Sequence, residues 1–147
     1  MEQIFNFKHI HIGKLIQTRV LESGIDIHRI CNFMSCTVDE IQRMYTEDEL
    51  PSGVILKWCK LLKYDFFRIY SQHIILYSPP GKMSDKVTNE STEVYNLPLF
   101  KKNIYTTEII DFVLEQIKLG RKTKEQVIDE YKIPKTTLYK WISKYSK

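Results

Sequence analysis

Residues 78–102, SPPGKMSDKVTNESTEVYNLPLFKK, carry no helical apolar period, and this break constrains the fold more than any other feature of the sequence. Pro79, Pro80 and Gly81 open it and Pro98 stands near its end, with polar residues crowded between. Such a composition favours an extended, flexible linker over a packed element. A chain of 147 residues has room for one ordinary domain, at roughly 100 to 200 residues each, so a break of this kind divides it into two very small ones. The division expected is residues 1–77, a linker over 78–102, and residues 103–147. Leu97, Leu99 and Phe100 are the apolar exceptions in the linker and are expected to cap the C-terminal core.

Before the break, apolar residues recur at helical spacing in five stretches. The first covers 12–23, with Ile12, Leu15, Ile16 and Val20 on one side and Gly24 as its stop. Asp26 caps a second, over 27–34, which presents Ile27, Ile30, Cys31 and Met34 together. Thr37 and Glu40 then form a capping box, each side chain accepting from the other residue's backbone N–H, ahead of a helix whose apolar side is Val38, Ile41 and Tyr45. A tight helix-turn-helix follows from the short spacing. A fourth stretch, over 51–62, begins with Pro51 where a missing N–H costs little, and buries Val54, Ile55, Trp58, Leu61 and Leu62. The fifth, over 66–77, is capped by Asp65 and is apolar on most sides through Phe66, Phe67, Ile69, Tyr70, Ile74 and Leu76. The expectation is an all-α protein whose first part is a five-helix bundle.

Composition is needed to exclude other classes. Apolar residues make up 43% and charged residues 27%, the balance of a chain that buries a core. No apolar run approaches the ~20 residues that span a bilayer, so no membrane role is expected. Cys31, Cys36 and Cys59 are an odd set without CxxC spacing, and the first residues do not resemble a signal segment; a reduced, cytoplasmic setting is expected.

Charge is placed unevenly. Residues 1–100 hold 11 Lys or Arg against 12 acids, a balance of −1, whereas residues 101–147 hold 11 against 6, a balance of +5. A basic patch attracts polyanions because each phosphate it neutralises releases condensed counterions. The alternative is a solvated helix face.

The C-terminal third resolves into three short helices. Thr106 or Thr107 begins one with Glu108 in its first turn and a stripe of Ile110, Val113, Leu114 and Ile117, stopped by Gly120. Thr123 and Gln126 form a second capping box, opening a helix that points Val127, Ile128 and Tyr131 inward. Lys132 and Ile133 make the turn, and Pro134 starts a third helix with Leu138, Trp141, Ile142 and Tyr145 at i, i+3, i+4 and i+7. The opposite face of that helix is polar. Lys135, Thr136, Tyr139 and Lys140 lie toward its N-terminal end, where a helix entering the major groove presents base-reading side chains. Arg121, Lys122 and Lys124, with Ser143, Lys144 and Lys147, are placed to hold the DNA backbone.

Two resemblances go with these residues. The stretch YTTEIIDFVLEQIKLGRKTKEQVIDEYKIPKTTLYKWISKY, residues 105–145, resembles the helix-turn-helix of insertion-sequence transposases and their short companion proteins. Its IPKTTLYKW segment, residues 133–141, follows that family's small-polar, Thr-Leu-Tyr-basic-Trp recognition-helix pattern. The resemblance implies sequence-specific recognition of double-stranded DNA, such as the terminal inverted repeats of a bacterial mobile element, with cleavage left to a separate transposase catalytic subunit. Two positions depart from the family. Lys132 stands where glycine is usual, so a left-handed turn there would cost roughly 1 kcal/mol relative to glycine. Pro134 stands where a small polar cap is usual. More loosely, residues 1–77 resemble the five-helix phage-repressor-like fold, with 27–34 and 38–45 as the helix pair. Asp39 and Glu40 would there face phosphate beside Gln42 and Arg43, which makes dimerisation or docking to a protein a comparable role for this part.

The remaining candidates for chemistry have simpler readings. His9 and His11 lack a Cys or acid cluster that would complete a metal site, and His28 and His73 fall within helices. No cysteine has an identifiable partner base. Asp39, Glu40, Glu47, Asp48 and Glu49 lie adjacent or at helix starts, where acids complement the dipole. Trp58 and Trp141 belong to apolar stripes. No enzyme activity, cofactor or metal is therefore expected. The reading is a transposase-related DNA-binding protein, with a homodimer mate or the first domain as a second reading head, at the nucleoid. Its rivals are a transcription regulator using the same module and a protein-interaction adaptor with a non-specific basic tail.

Overall fold

In a computed structural model the protein is all-helical. The residues it describes are 5–79, 96–98, 100 and 103–145. Among them run eight helices: α1 (Ile12–Ser23), α2 (Ile27–Met34), α3 (Val38–Thr46), α4 (Ser52–Leu62), α5 (Phe66–Tyr77), α6 (Thr107–Lys118), α7 (Lys124–Tyr131) and α8 (Lys135–Tyr145). None is long and apolar enough to cross a membrane. Most of the break, including Leu99, lies outside the described residues. Leu97 and Phe100 are described, and both are largely exposed rather than capping a core.

The chain forms two compact units, residues 6–71 and residues 72–147 together with 1–5. The border falls inside α5, between Ser71 and Gln72, earlier than the composition of the linker alone would place it. Gln72 supplies a physical reason. Its amide is buried, donates to the carbonyl of Ile104 at 2.7 Å and accepts from the N–H of Thr106 at 3.2 Å. The side chain thereby satisfies the backbone at the very start of α6, and a buried amide of this kind is costly to leave unpaired.

Residues 6–71 are organised by α1, which packs on α3 and α4, while α2 packs on the same two helices. Trp58 is fully buried with Tyr45 6.1 Å away, and Ile12, Ile16, Ile30 and Ile41 surround the same interior. The local stops and starts are those the sequence announces. Gly24 takes the left-handed conformation at φ 63°, Asp26 accepts from the N–H of His28, and the Thr37–Glu40 capping box is complete. Hydrogen bonds from Thr37 hold the Glu40 carboxyl below its ordinary pKa. His11, one of the histidines considered for metal, instead caps α1 through Nδ1, which accepts from the N–H of Lys14.

Some apolar residues are not where periodicity alone puts them. Val38, in the first turn of α3, is substantially exposed, as is Ile74. Phe66, Ile69, Gln72 and Leu76 share the buried side of α5, and a residue two positions from both Gln72 and Leu76 must point away from it. The surplus of apolar residues in this helix hid which stripe faces inward.

Among the described glycines, Gly13 is the one closely approached by other backbone. The N–H groups of Ile12 and Gly13 donate to the carbonyls of Asp48 and Glu47, just beyond α3, so the start of α1 lies directly on that segment. A Cβ at Gly13 would collide with the main-chain oxygens of Met44, Tyr45 and Glu47. Gly53, in α4, has open space around it. Urea denaturation is expected to show Gly13→Ala destabilising the protein by about 1 to 3 kcal/mol, and Gly53→Ala stabilising it by about 0.5 to 1 kcal/mol. Equal effects at the two positions would contradict this packing.

Candidate nucleic-acid interface

The C-terminal helices are positioned by a chain of local hydrogen bonds. Thr106 caps α6 by accepting from the N–H of Ile109. At the far end Gly120 turns left-handed at φ 69°, and the N–H groups of Arg121 and Lys122 both donate to the carbonyl of Gln116, at 3.0 and 3.2 Å. This holds the backbone of two cations against the end of α6. Thr123 and Gln126 complete their capping box, at 2.8 and 3.2 Å, and start α7.

The turn into α8 requires a left-handed residue, and it is Lys132, at φ 53° and ψ 32°. Ile133 follows, almost fully buried, and anchors the turn in the core. The carbonyl of Pro134 then accepts from the N–H of Leu138 at 3.0 Å, so the missing side-chain cap does not prevent the helix from starting there. The α2–α3 turn has the same construction. Each follows an eight-residue helix with one left-handed residue, Ser35 or Lys132, one inner residue, and the N-terminal flank of the next helix. Buried residues keep the same spacing, Ile30, Met34 and Ile41 in one, Val127, Tyr131 and Leu138 in the other.

Helix α8 packs on α6 and α7. Leu138 is fully buried and Trp141 is 8% exposed, with the Tyr105 ring edge-on to the indole at 5.0 Å. Ile142 is half-buried, whereas Tyr145, expected in the same stripe, is 43% exposed in the final turn. Ile109 and Ile133 belong to the core and were not singled out by periodicity. Ile109 lies in the first turn of α6, four residues before Val113, so the helical spacing could have found it, whereas Ile133 lies outside any helix.

With that side inward, Lys135, Thr136, Tyr139 and Lys140 are all exposed, as are Ser143 and Lys144. Lys147 lies outside the described residues. Tyr139 is 43% exposed, and the ammonium groups of Lys124 and Lys135 stand 5.4 and 5.7 Å from the centre of its ring. Lys144 lies over the neighbouring Tyr145, in the last turn, where a cation also complements the helix dipole. The cations before α7 differ from one another. Arg121 is exposed, but Lys122 pairs with Glu130 and lies over the Tyr131 ring. The hydrogen bond to Glu130 raises the Lys122 pKa, and burial raises that of the Tyr131 phenol. Lys122 is therefore already engaged within the fold, Lys124 is half-buried beside the Tyr139 ring without an ion pair among the described residues, and Arg121 is presented outward.

Among the described residues no cluster of His, Cys, Asp or Glu could hold a metal ion. The three cysteines are partly buried and unpaired with one another. What the arrangement offers chemically is a surface of ammonium groups, hydroxyls and the rings of Tyr139 and Tyr145, carried by α8 and the start of α7. Comparison with protein-family models, curated proteins and solved structures finds no match to this chain.

Because Lys132 adopts a conformation that glycine reaches without steric cost, Lys132→Gly is expected to stabilise the protein by about 1 kcal/mol in urea denaturation. A loss of stability on this substitution would show that the turn is not under the strain described.

Proposed function

We propose that this protein binds double-stranded DNA in a sequence-specific manner through α8, as a transposase-related helix-turn-helix protein of a bacterial mobile element acting without a catalytic domain of its own. The observation that carries the reading is the two-sidedness of α8. Burial of Leu138 and Trp141 leaves Lys135, Thr136, Tyr139 and Lys140 together on the exposed face. Ammonium groups serve phosphates and guanine edges, hydroxyls serve phosphates or base edges, and an aromatic ring serves sugar or thymine methyl contact. Arg121 and Lys124 fix register on the backbone, with Ser143 and Lys144 extending the track; Lys147, expected there from the sequence, lies outside the described residues. Lys122 contributes when a phosphate competes with Glu130.

In this reading the terminal inverted repeats of the element are the target, and a separate transposase subunit performs the chemistry. One small module contacts few base pairs, so a second reading head is needed, supplied by a homodimer mate or by the N-terminal part acting as a five-helix, repressor-like bundle. The resemblance of the two helix-turn-helix turns supports the second source. Asp39 and Glu40 in the first turn of α3 favour a dimerisation or docking role for that part instead. The cell compartment that follows is the cytoplasm, at the nucleoid. A transcription regulator would use the same surface.

The rival of a different class is an adaptor that binds a protein partner and carries a basic tail. Exposure of Ile74 and Tyr77 on α5 favours it, and it predicts weak, sequence-blind DNA association. Selection from random-sequence duplexes separates the readings. The proposed function predicts an enriched site, from which Lys140→Ala removes ~1 to 3 kcal/mol relative to random DNA while Arg121→Ala weakens both duplexes alike. An unenriched pool, with binding that vanishes at moderate salt, would overturn this reading and favour the adaptor.

A further inference from the structure

Two ammonium groups from different helices converge on one ring. Lys124 is the first residue of α7 and Lys135 the first of α8, and both lie over Tyr139. Lys135 and Tyr139 are four apart on one helix, so their approach follows from helix geometry. Lys124 arrives from the preceding helix, so its approach depends on the turn through Lys132 and Ile133. The negative face of an aromatic ring attracts cations. Here it does so for two side chains that would otherwise each sample many rotamers. Among the described residues neither lysine belongs to an ion pair, in contrast to Lys122 with its Glu130. Both charges therefore remain available to an outside anion, and the two ammonium groups can be no farther apart than their two distances to the ring centre together allow.

We propose that Tyr139 is a positioning residue whose ring gathers Lys124 and Lys135 into a phosphate-binding pair, so that removing the ring loses phosphate contacts although both lysines remain. This rests on the duplex-binding reading and adds to it a role that the phenol hydroxyl does not perform. Phenylalanine should therefore substitute for tyrosine, and an aliphatic side chain should not. Ordering the two lysines in the free protein lowers the entropy lost when they engage a strand, which is how a ring without charge raises affinity for phosphate.

The test compares the full chain with Tyr139→Phe and Tyr139→Leu, using a short random-sequence duplex and following the binding constant against salt. Each phosphate contact contributes ~0.9 to the slope of log K against log salt. The slope of Tyr139→Phe is expected to equal that of the unsubstituted chain, and that of Tyr139→Leu to be shallower by about 1 to 2, with circular dichroism unchanged. In the free protein, the ε-methylene protons of Lys124 and Lys135 are expected to show upfield ring-current shifts that persist in Tyr139→Phe and disappear in Tyr139→Leu. Should the leucine variant fail to fold, Tyr139→Gln provides the same comparison at an exposed helical position. A leucine variant that keeps the full slope, a phenylalanine variant that loses it, or the absence of ring-current shifts overturns the positioning role and leaves the duplex reading standing. A chain that shows the ring-current shifts yet binds no duplex at low salt overturns the duplex reading, and the phosphate role with it.

Discussion

Burial of Leu138 and Trp141 against α6 and α7 fixes the rotation of α8 about its own axis. On a helix of eleven residues that rotation decides everything about the surface, because side chains three and four apart share a face. The cations and hydroxyls of α8 face outward as the other side of a packing requirement. Burying an indole and a leucine is worth a few kcal/mol, more than any rearrangement of exposed lysines could recover. The apolar residues thus determine the chemistry of the exposed face without taking part in it.

The turn before α8 turns that face into a defined site. Lys132 bears a left-handed conformation and Ile133 seats the turn in the core. Lys124 and Tyr139, from successive helices, then come within cation–π distance. The α2–α3 turn is built in the same way with Ser35 as its left-handed residue, yet the helix that follows opens with Asp39 and Glu40, and Glu40 is committed to a capping box. In the shared register Val38, Asp39 and Glu40 stand where α8 has Lys135, Thr136 and Thr137, while Arg43 matches Lys140, so two turns of one construction present different charge to their surroundings. The frame alone does not assign a function; the side chains mounted on it do.

The sequence was most legible where its signals are local. Gly24, Asp26, Thr37 with Glu40, Asp65, Thr106 and Thr123 with Gln126 each mark a helix end through a hydrogen bond or a backbone preference spanning a few residues, and each acts there in the fold. The inward positions Leu138 and Trp141 of α8 were legible for the same reason, from spacing, although Tyr145 of the same stripe is exposed. Contacts between residues distant in sequence were not. Nothing near Gln72 announces that its amide will satisfy the backbone at Ile104 and Thr106. Nothing near Gly13 announces the carbonyls of Met44, Tyr45 and Glu47. Ile74 was misplaced because α5 has more apolar residues than one stripe can hold, and Leu97 and Phe100 because hydrophobicity without periodicity says nothing about burial. The pairing of Lys122 with Glu130 also needed the fold, since Glu130 lies eight positions on, in the last turn of α7.

The central claim is that the exposed face of α8, with the start of α7, is the surface that meets a duplex. Backbone amide resonances followed during titration of the full chain with a short duplex test it most directly. The account predicts that shifts concentrate at Lys135, Thr136, Tyr139, Lys140 and at Arg121 to Lys124, and leave α2 and α3 nearly unmoved. Shifts centred on α2 and α3, or a spectrum that no duplex perturbs, would contradict it.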